Sequence, residues 1–254
     1  MATEFNENGV IIYRGPSLID GADIVVIATG LTKKSANGKT GAEIQTWIIR
    51  TDVKPGLAAE SGDDVSVCGD CAHRPALRQL AIAMGEEPQA PCYVILFQAP
   101  RSVFECFLRG RYRDISGDAD AIAAVFAERV VRAGSYGDPA AIPAWVWIAV
   151  YRNAAGRTGY THQWSHPIAA VRENAAALRG HVMASVETDA EYITAKIQDW
   201  RTFRVRETAE SAMFPNERVC PASKEAGFKT TCELCQACSG ANGRGHSDIV
   251  IAAH

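Results

Sequence analysis

The sequence has no apolar run near the roughly 20 residues that a bilayer-spanning helix needs. Its opening, MATEFNENGV, lacks the basic start and apolar stretch of a secretory signal. Both absences predict a cytoplasmic chain with no membrane contact. The cytoplasm is reducing, and structural disulfides are rare there. Low-complexity tracts and fixed-period repeats are missing too, which excludes solenoids and disordered linkers. No G-x-G-x-x-G follows a predicted strand, so dinucleotide binding loses its usual fingerprint. Gly38-Lys39-Thr40 lacks the partner glycine of a phosphate loop, because Lys33 stands in that place. Lys33, Lys34 and Lys39 could still meet an anionic substrate from a loop tip.

An excess of charge of one sign is also absent. The net charge is −3, with 26 basic and 29 acidic residues. That balance excludes a general nucleic-acid coat protein but leaves room for a local basic groove. Arg101, Arg109, Arg111 and Arg113 form one candidate group, and Arg201, Arg204 and Arg206 a second.

What is present is ordinary globular composition. The 254 residues are 47% hydrophobic, enough for a large core. We read a single α/β domain, 1–254. It divides into 1–92 (an N-terminal hairpin and a first cysteine group), 93–206 (β/α repeats) and 207–254 (a metal-binding segment and last strand). Strands are predicted at 23–29 and 43–50, joined by a long polar tip, and another at 93–98. Helices are predicted at 74–84 and 102–108. From about residue 119 the order is regular: helix 119–129, strand 130–135, helix 140–151, strand 159–164, helix 167–178, strand 181–187, helix 189–199 and strand 202–206. A final strand starts at 248. Such alternation predicts a parallel sheet in a (β/α) barrel or partial barrel, with an open doubly wound sheet as the competitor.

In a (β/α) barrel the chemistry sits at the carboxyl ends of the strands. Those ends deliver Ser135, Tyr136 and Asp138, then His162, Gln163 and Trp164, then Glu187, then Arg204 and Arg206, and finally His254. Asp138 and Glu187 are candidate nucleophile and general base. Gln163 suits the edge of a heterocyclic base, and Tyr136 and Trp164 can stack on a flat ring. Arg204 and Arg206 can grip phosphate or carboxylate. With Ser135 and His162 these make a substrate pocket for a nucleobase or nucleotide. The bland alternative is that Asp138 and Glu187 merely cap the helices that follow them.

Eight cysteines need an explanation in a reducing compartment. Cys220, Cys232, Cys235 and Cys238 follow the pattern C-x11-C-x2-C-x2-C. Four soft ligands in a Gly-rich stretch predict zinc or, alternatively, a [4Fe-4S] cluster. His246 is a spare ligand. Cys68 and Cys71 form a C-x2-C pair, and with Cys92 and His73 they make a possible second metal site. Cys106, among Phe104, Phe107 and Leu108, reads as core.

The segments CGDCAHR at 68–74, CYVILFQAP at 92–100, RAGSYGDPAAIP at 132–143, GYTHQW at 159–164, MASVE at 183–187, WRTFRVR at 200–206 and CPASKEAG at 220–227 carry a resemblance. Together they resemble a family of uncharacterised proteins of bacteriophages and related mobile elements, over roughly residues 20–254. That resemblance implies a host-cytoplasmic setting in phage DNA metabolism. More distantly, the chain is similar to tRNA-guanine transglycosylases and their phage-associated DNA-modifying relatives. Those are (β/α) barrels with a C-terminal zinc site that exchange guanine for a 7-deazaguanine. This chain departs from them in its cysteine spacing and in lacking their DSGGFQ segment.

Three functions are therefore expected to compete. The first is exchange of a nucleobase in DNA for a 7-deazaguanine-type base through a carboxylate. The second is an iron–sulfur redox or radical S-adenosylmethionine-type enzyme. The third is a non-catalytic, metal-stabilised nucleic-acid-binding protein.

Overall fold

A computed structural model describes residues 7–35 and 37–253. His254 lies outside them. The framework is one mixed sheet of ten strands: β1 Gly9–Pro16, β2 Asp23–Thr29, β3 Ile44–Arg50, β4 Arg113–Asp114, β5 Val130–Tyr136, β6 Gly156–Thr161, β7 Met183–Val186, β8 Thr202–Arg206, β9 Glu217–Val219 and β10 Asp248–Ala252. Their order is β4-β1-β2-β3-β5-β6-β7-β8-β10-β9. The first three strands form an antiparallel meander. From β3 onward every neighbouring pair is parallel.

The predicted α/β alternation is present, but a closed barrel is not. The sheet ends in two short edge strands, the two-residue β4 and the three-residue β9. Neither offers enough backbone to pair with the other edge. The hairpin expected at 23–50 is also present, as β2 and β3. β1, with GVIIYRGP, pairs along the outer side of β2 and was missed by the sequence reading.

The strand expected at 93–98 is absent. Val94 and Leu96 turn toward the core, while Tyr93, Ile95 and Phe97 face outward. The alternation is that of a strand, but this segment has no neighbouring backbone in the sheet. It runs instead into the helix Ala99–Leu108, with Pro100 in the first turn, where a missing N–H does no harm.

Two cores lie against the sheet. The larger takes Ile122, Trp147, Val171 and Tyr192 from four of the helices that connect the parallel strands. Trp147 is fully buried, and its indole donates to the Pro139 carbonyl at 2.8 Å. The smaller core joins Met183, Ile249 and Ile251 to Cys220 and Cys238, with Tyr160, Phe203 and Cys232 packed against it. Among the described residues, no helix is long and apolar enough to cross a membrane.

Candidate functional site

The carboxyl ends of β5, β6 and β7 converge on the loop that carries Cys68 and Cys71. That loop is built stiffly. The helix Pro55–Ser61 ends at Gly62 in the left-handed conformation, and Val65–Cys68 form one more helical turn. Arg74 then reaches back into the loop. Its guanidinium donates to Asp64 Oδ1 at 2.6 and 2.9 Å and to the Gly62 and Gly69 carbonyls at 2.8 Å. Arg74 and Asp64 are both buried. The sequence reading did not single them out, although Arg74 closes the segment CGDCAHR.

Gly69 has φ +53°, and a Cβ there would meet the Gln163 side chain at 2.2 Å. Only glycine fits this approach without displacing Gln163. Gln163 uses the close contact as a clamp. Its amide donates to the Cys68 carbonyl at 3.1 Å and to Asp138 Oδ2 at 3.2 Å, and its Oε1 accepts from Asp70 N.

Asp138 is a brace. Oδ1 accepts from Ala140 N at 2.9 Å and from Thr161 Oγ1 at 2.7 Å. Oδ2 accepts from His162 N at 2.7 Å as well as from Gln163. Four donors occupy this buried carboxylate, so it caps the turn after β5 and holds the end of β6. The geometry gives the bland alternative for Asp138. It does not for Glu187: the following helix, Asp189–Ile197, is capped by Thr188 and Glu191 in a capping box. Glu187 is left to turn into the crevice.

There His73, His162 and Glu187 meet. Glu187 Oε1 lies 3.2 Å from His73 Nε2 and 3.1 Å from His162 Nε2. Among the described residues, this is the group that brings three metal-ligating atoms within 4.8 Å of one another. Glu187 is 5% exposed, and its Oε2 is buried with no hydrogen-bond partner. The ring of His73 is fixed by a 2.7 Å contact between Nδ1 and the Ala90 carbonyl. A carbonyl can only accept, so Nδ1 carries the proton and Nε2 faces Glu187. Cys71 lies near enough to His162 for each to bear on the other's titration.

The electrostatics follow from burial against pairing. Burial alone would raise the Glu187 carboxyl, but hydrogen bonds and charge from His162 and His73 bring it down to about 2. Burial works against a charged His162, yet Cys71 and Glu187 hold its pKa well above the usual value. The Cys71 thiol is pushed up by burial and pulled below its usual value by His162 and His73. Cys68 and Cys92 are raised, chiefly by burial, and each also senses the charge of Cys71. Cys68, Cys71 and Cys92 therefore do share one neighbourhood, with Cys92 N bonded to the His73 carbonyl at 3.1 Å.

The other residues of the expected pocket are built into the framework. Arg204 pairs with buried Glu217 at 2.7 Å, and Arg206 pairs with Glu225. Both arginines are less than a tenth exposed, so neither offers a free fork to phosphate. Trp164 is buried, and its indole donates to the Ser185 carbonyl. Tyr136 is buried as well. Ser135 donates to Gln45. The expected groove at Arg201, Arg204 and Arg206 is thus a set of internal struts.

The second cysteine group lies over the amino-terminal half of β6. Cys220 follows β9, Cys232 and Cys235 bound a single helical turn, and Cys238 accepts at its carbonyl from Gly159 N. The tip between β2 and β3 docks on this turn. Cys232 N and Glu233 N donate to the Lys39 and Thr40 carbonyls, and Glu233 Oε2 accepts from Ala42 N. His246 is exposed.

No family model matches this sequence, and no curated protein or solved structure proved similar to it.

Proposed function

We propose that the protein is a metal-dependent enzyme whose centre is His73, His162 and Glu187. The observation that carries this is the convergence of two imidazole nitrogens on one carboxylate oxygen, beside a buried and unpartnered Oε2. Ligands about 2.1 Å from one ion stand roughly 3 Å apart when they subtend a right angle, as the N–O spacings here do. Two histidines and one carboxylate suit zinc or ferrous iron and leave coordination positions open for water or substrate. The Ala90 carbonyl orients His73 in the way outer partners orient metal-bound imidazoles. In the metal-free protein, protons on the two imidazoles do the bridging that the ion would take over.

Such an ion would activate water or polarise a substrate oxygen. Glycosyl exchange through a carboxylate nucleophile is less favoured, because Asp138 has four donors and Glu187 bridges two histidines. A nucleobase remains the substrate class we propose. Tyr93 and Phe97, beside Cys92, are 60% and 73% exposed and present faces on which a flat ring could stack.

The nearness of Cys71 to His162, whose Nε2 is 3.1 Å from Glu187 Oε1, supports a second reading, in which Cys71 is the nucleophile and the metal is dispensable. Titration of the full chain with zinc and with cobalt, read by calorimetry and by cobalt visible absorption, separates the two. Binding of about one equivalent, weakened at least tenfold in both His73→Ala and Glu187→Gln, is expected. Unchanged binding in these variants would overturn the metal centre. Metal-independent alkylation of Cys71, abolished by His162→Ala, would move the function to the thiol.

A further inference from the structure

We propose that Cys220, Cys232, Cys235 and Cys238 hold a [4Fe-4S] cluster that pins the β2–β3 tip and the last three strands together. These cysteines share no residue with the His73, His162 and Glu187 centre.

Its first step is placement. Cys220 and Cys238 sit inside the smaller core, and Cys232 packs against it. Cys235 is one helical turn away from Cys232. Cys238, three residues beyond Cys235, returns to the same core as Cys220, so the four cysteines gather on one side of the sheet. An ordinary core does not collect four thiols from three chain segments.

Spacing is the second step. Four thiolates on one zinc ion stand about 3.8 Å apart, given Zn–S near 2.3 Å. Among the described residues, no three of these sulfurs come within 4.8 Å of one another. Thiols spread more widely than one ion would hold them suit a polynuclear cluster better than a single ion. Cys232, Cys235 and Cys238 stand at the three-residue intervals that such clusters use, although the Cys-Pro pair, Cys220-Pro221, precedes the triplet where the ferredoxin pattern has it follow.

The third step is the surrounding shell. Arg201 is 7% exposed and donates to the Gly240 and Ala237 carbonyls, both at 2.9 Å, fixing the loop after the last cysteine. Gly240, at φ +73°, lies so close to the backbone of His181 that a Cβ would stand 2.5 Å from its nitrogen. Buried Arg132 lies over the Tyr160 ring of this core, and half-buried Lys39 accepts from Cys232 N at its carbonyl, so two cationic residues stand beside the thiols. Tyr160 packs against the core that holds Cys220 and Cys238, with its ring tilted on Phe203 at 4.2 Å.

The test uses the full chain, purified without oxygen and reconstituted with ferrous iron and sulfide. About four iron and four sulfide per chain, with a brown chromophore, are expected. Cys232→Ser and Cys235→Ser should lose the colour, while Cys92→Ser and His73→Ala should keep it. Should the first two variants fail to fold, Mössbauer spectra of the wild-type chain still report whether four irons share thiolate ligation. Colourless protein carrying zinc at these cysteines would overturn the proposal. So would colour that follows Cys68, Cys71 and Cys92 instead.

Discussion

The two cysteine groups of this chain sit in opposite kinds of surroundings. Cys68, Cys71 and Cys92 lie among histidines, a carboxylate and an exposed aromatic segment, at the carboxyl ends of the parallel strands. Cys220, Cys232, Cys235 and Cys238 lie against the sheet itself, packed on Met183, Ile249 and Ile251. Polar neighbours in the first group compete to hold and release protons, as chemistry requires. The second group has an apolar floor, with Arg132 and Glu43 buried at its edge. On the two proposals above, the same residue type would be reactive in one place and a fastener in the other.

The largest blow to this contrast should come from Arg74→Ala. Removing one partner of a buried ion pair leaves Asp64 uncompensated and costs about 3–5 kcal/mol. It also frees the Gly62 and Gly69 carbonyls and loosens the loop of Cys68 and Cys71. Urea unfolding should show that loss, and crevice metal binding should fall with it. The C-terminal chromophore, over the amino-terminal half of β6 and not at its carboxyl end, should persist in whatever fraction remains folded. Loss of both together would mean that the two sites are one cooperative unit.

Glu43 probes the other side. It is fully buried between Thr158 and Arg132, close to Cys232, and burial raises its carboxyl to about 7 in spite of Arg132. In the unfolded chain the group titrates near 4.5. Between those values the folded state keeps a proton that the unfolded state has released, so stability falls as pH rises through that window. Glu43→Gln should flatten this slope in thermal melts taken from pH 4.5 to 7. Glu187 has the opposite sign. Its carboxyl is depressed, so its contribution is present above the ordinary carboxylate range and fades as pH drops toward 2. A Glu43→Gln variant with an unaltered pH slope would show that Arg132 keeps Glu43 ionised.

Much of the framework was legible because period and punctuation agree. The alternation from residue 119 announced β5, β6, β7 and β8. Glu187 and His162 were named because strand ends can be read from pattern, and His73 because it stands beside the C-x2-C pair. Their meeting was not legible. His73 lies in a loop and His162 just past β6, and only the clamps by Gln163 and Arg74 bring those segments together. The arginines misled for a related reason. A buried strut and an exposed phosphate fork are the same letters, and Glu217 and Glu225 lie far enough along the chain to hide the pairing. The run 93–98 misled because its alternation is real but its neighbouring strand is missing.

The smallest expected effect tests whether the crevice depends on how its helix begins. Thr188 Oγ1 accepts from Glu191 N at 3.2 Å, and Glu191 Oε2 accepts from Glu187 N at 2.6 Å and from Thr188 N at 3.1 Å. Thr188→Ala removes one of these bonds and should cost about 1 kcal/mol. The cap does more than start a helix, because the backbone it holds is that of Glu187. Metal affinity at the crevice should therefore weaken slightly, by a few-fold in the same titration, while the cysteine core is untouched. A stability loss without any change in metal affinity would show that Glu187 is aimed by its two histidines alone. The cap and the metal centre would then be neighbours in sequence that share no work.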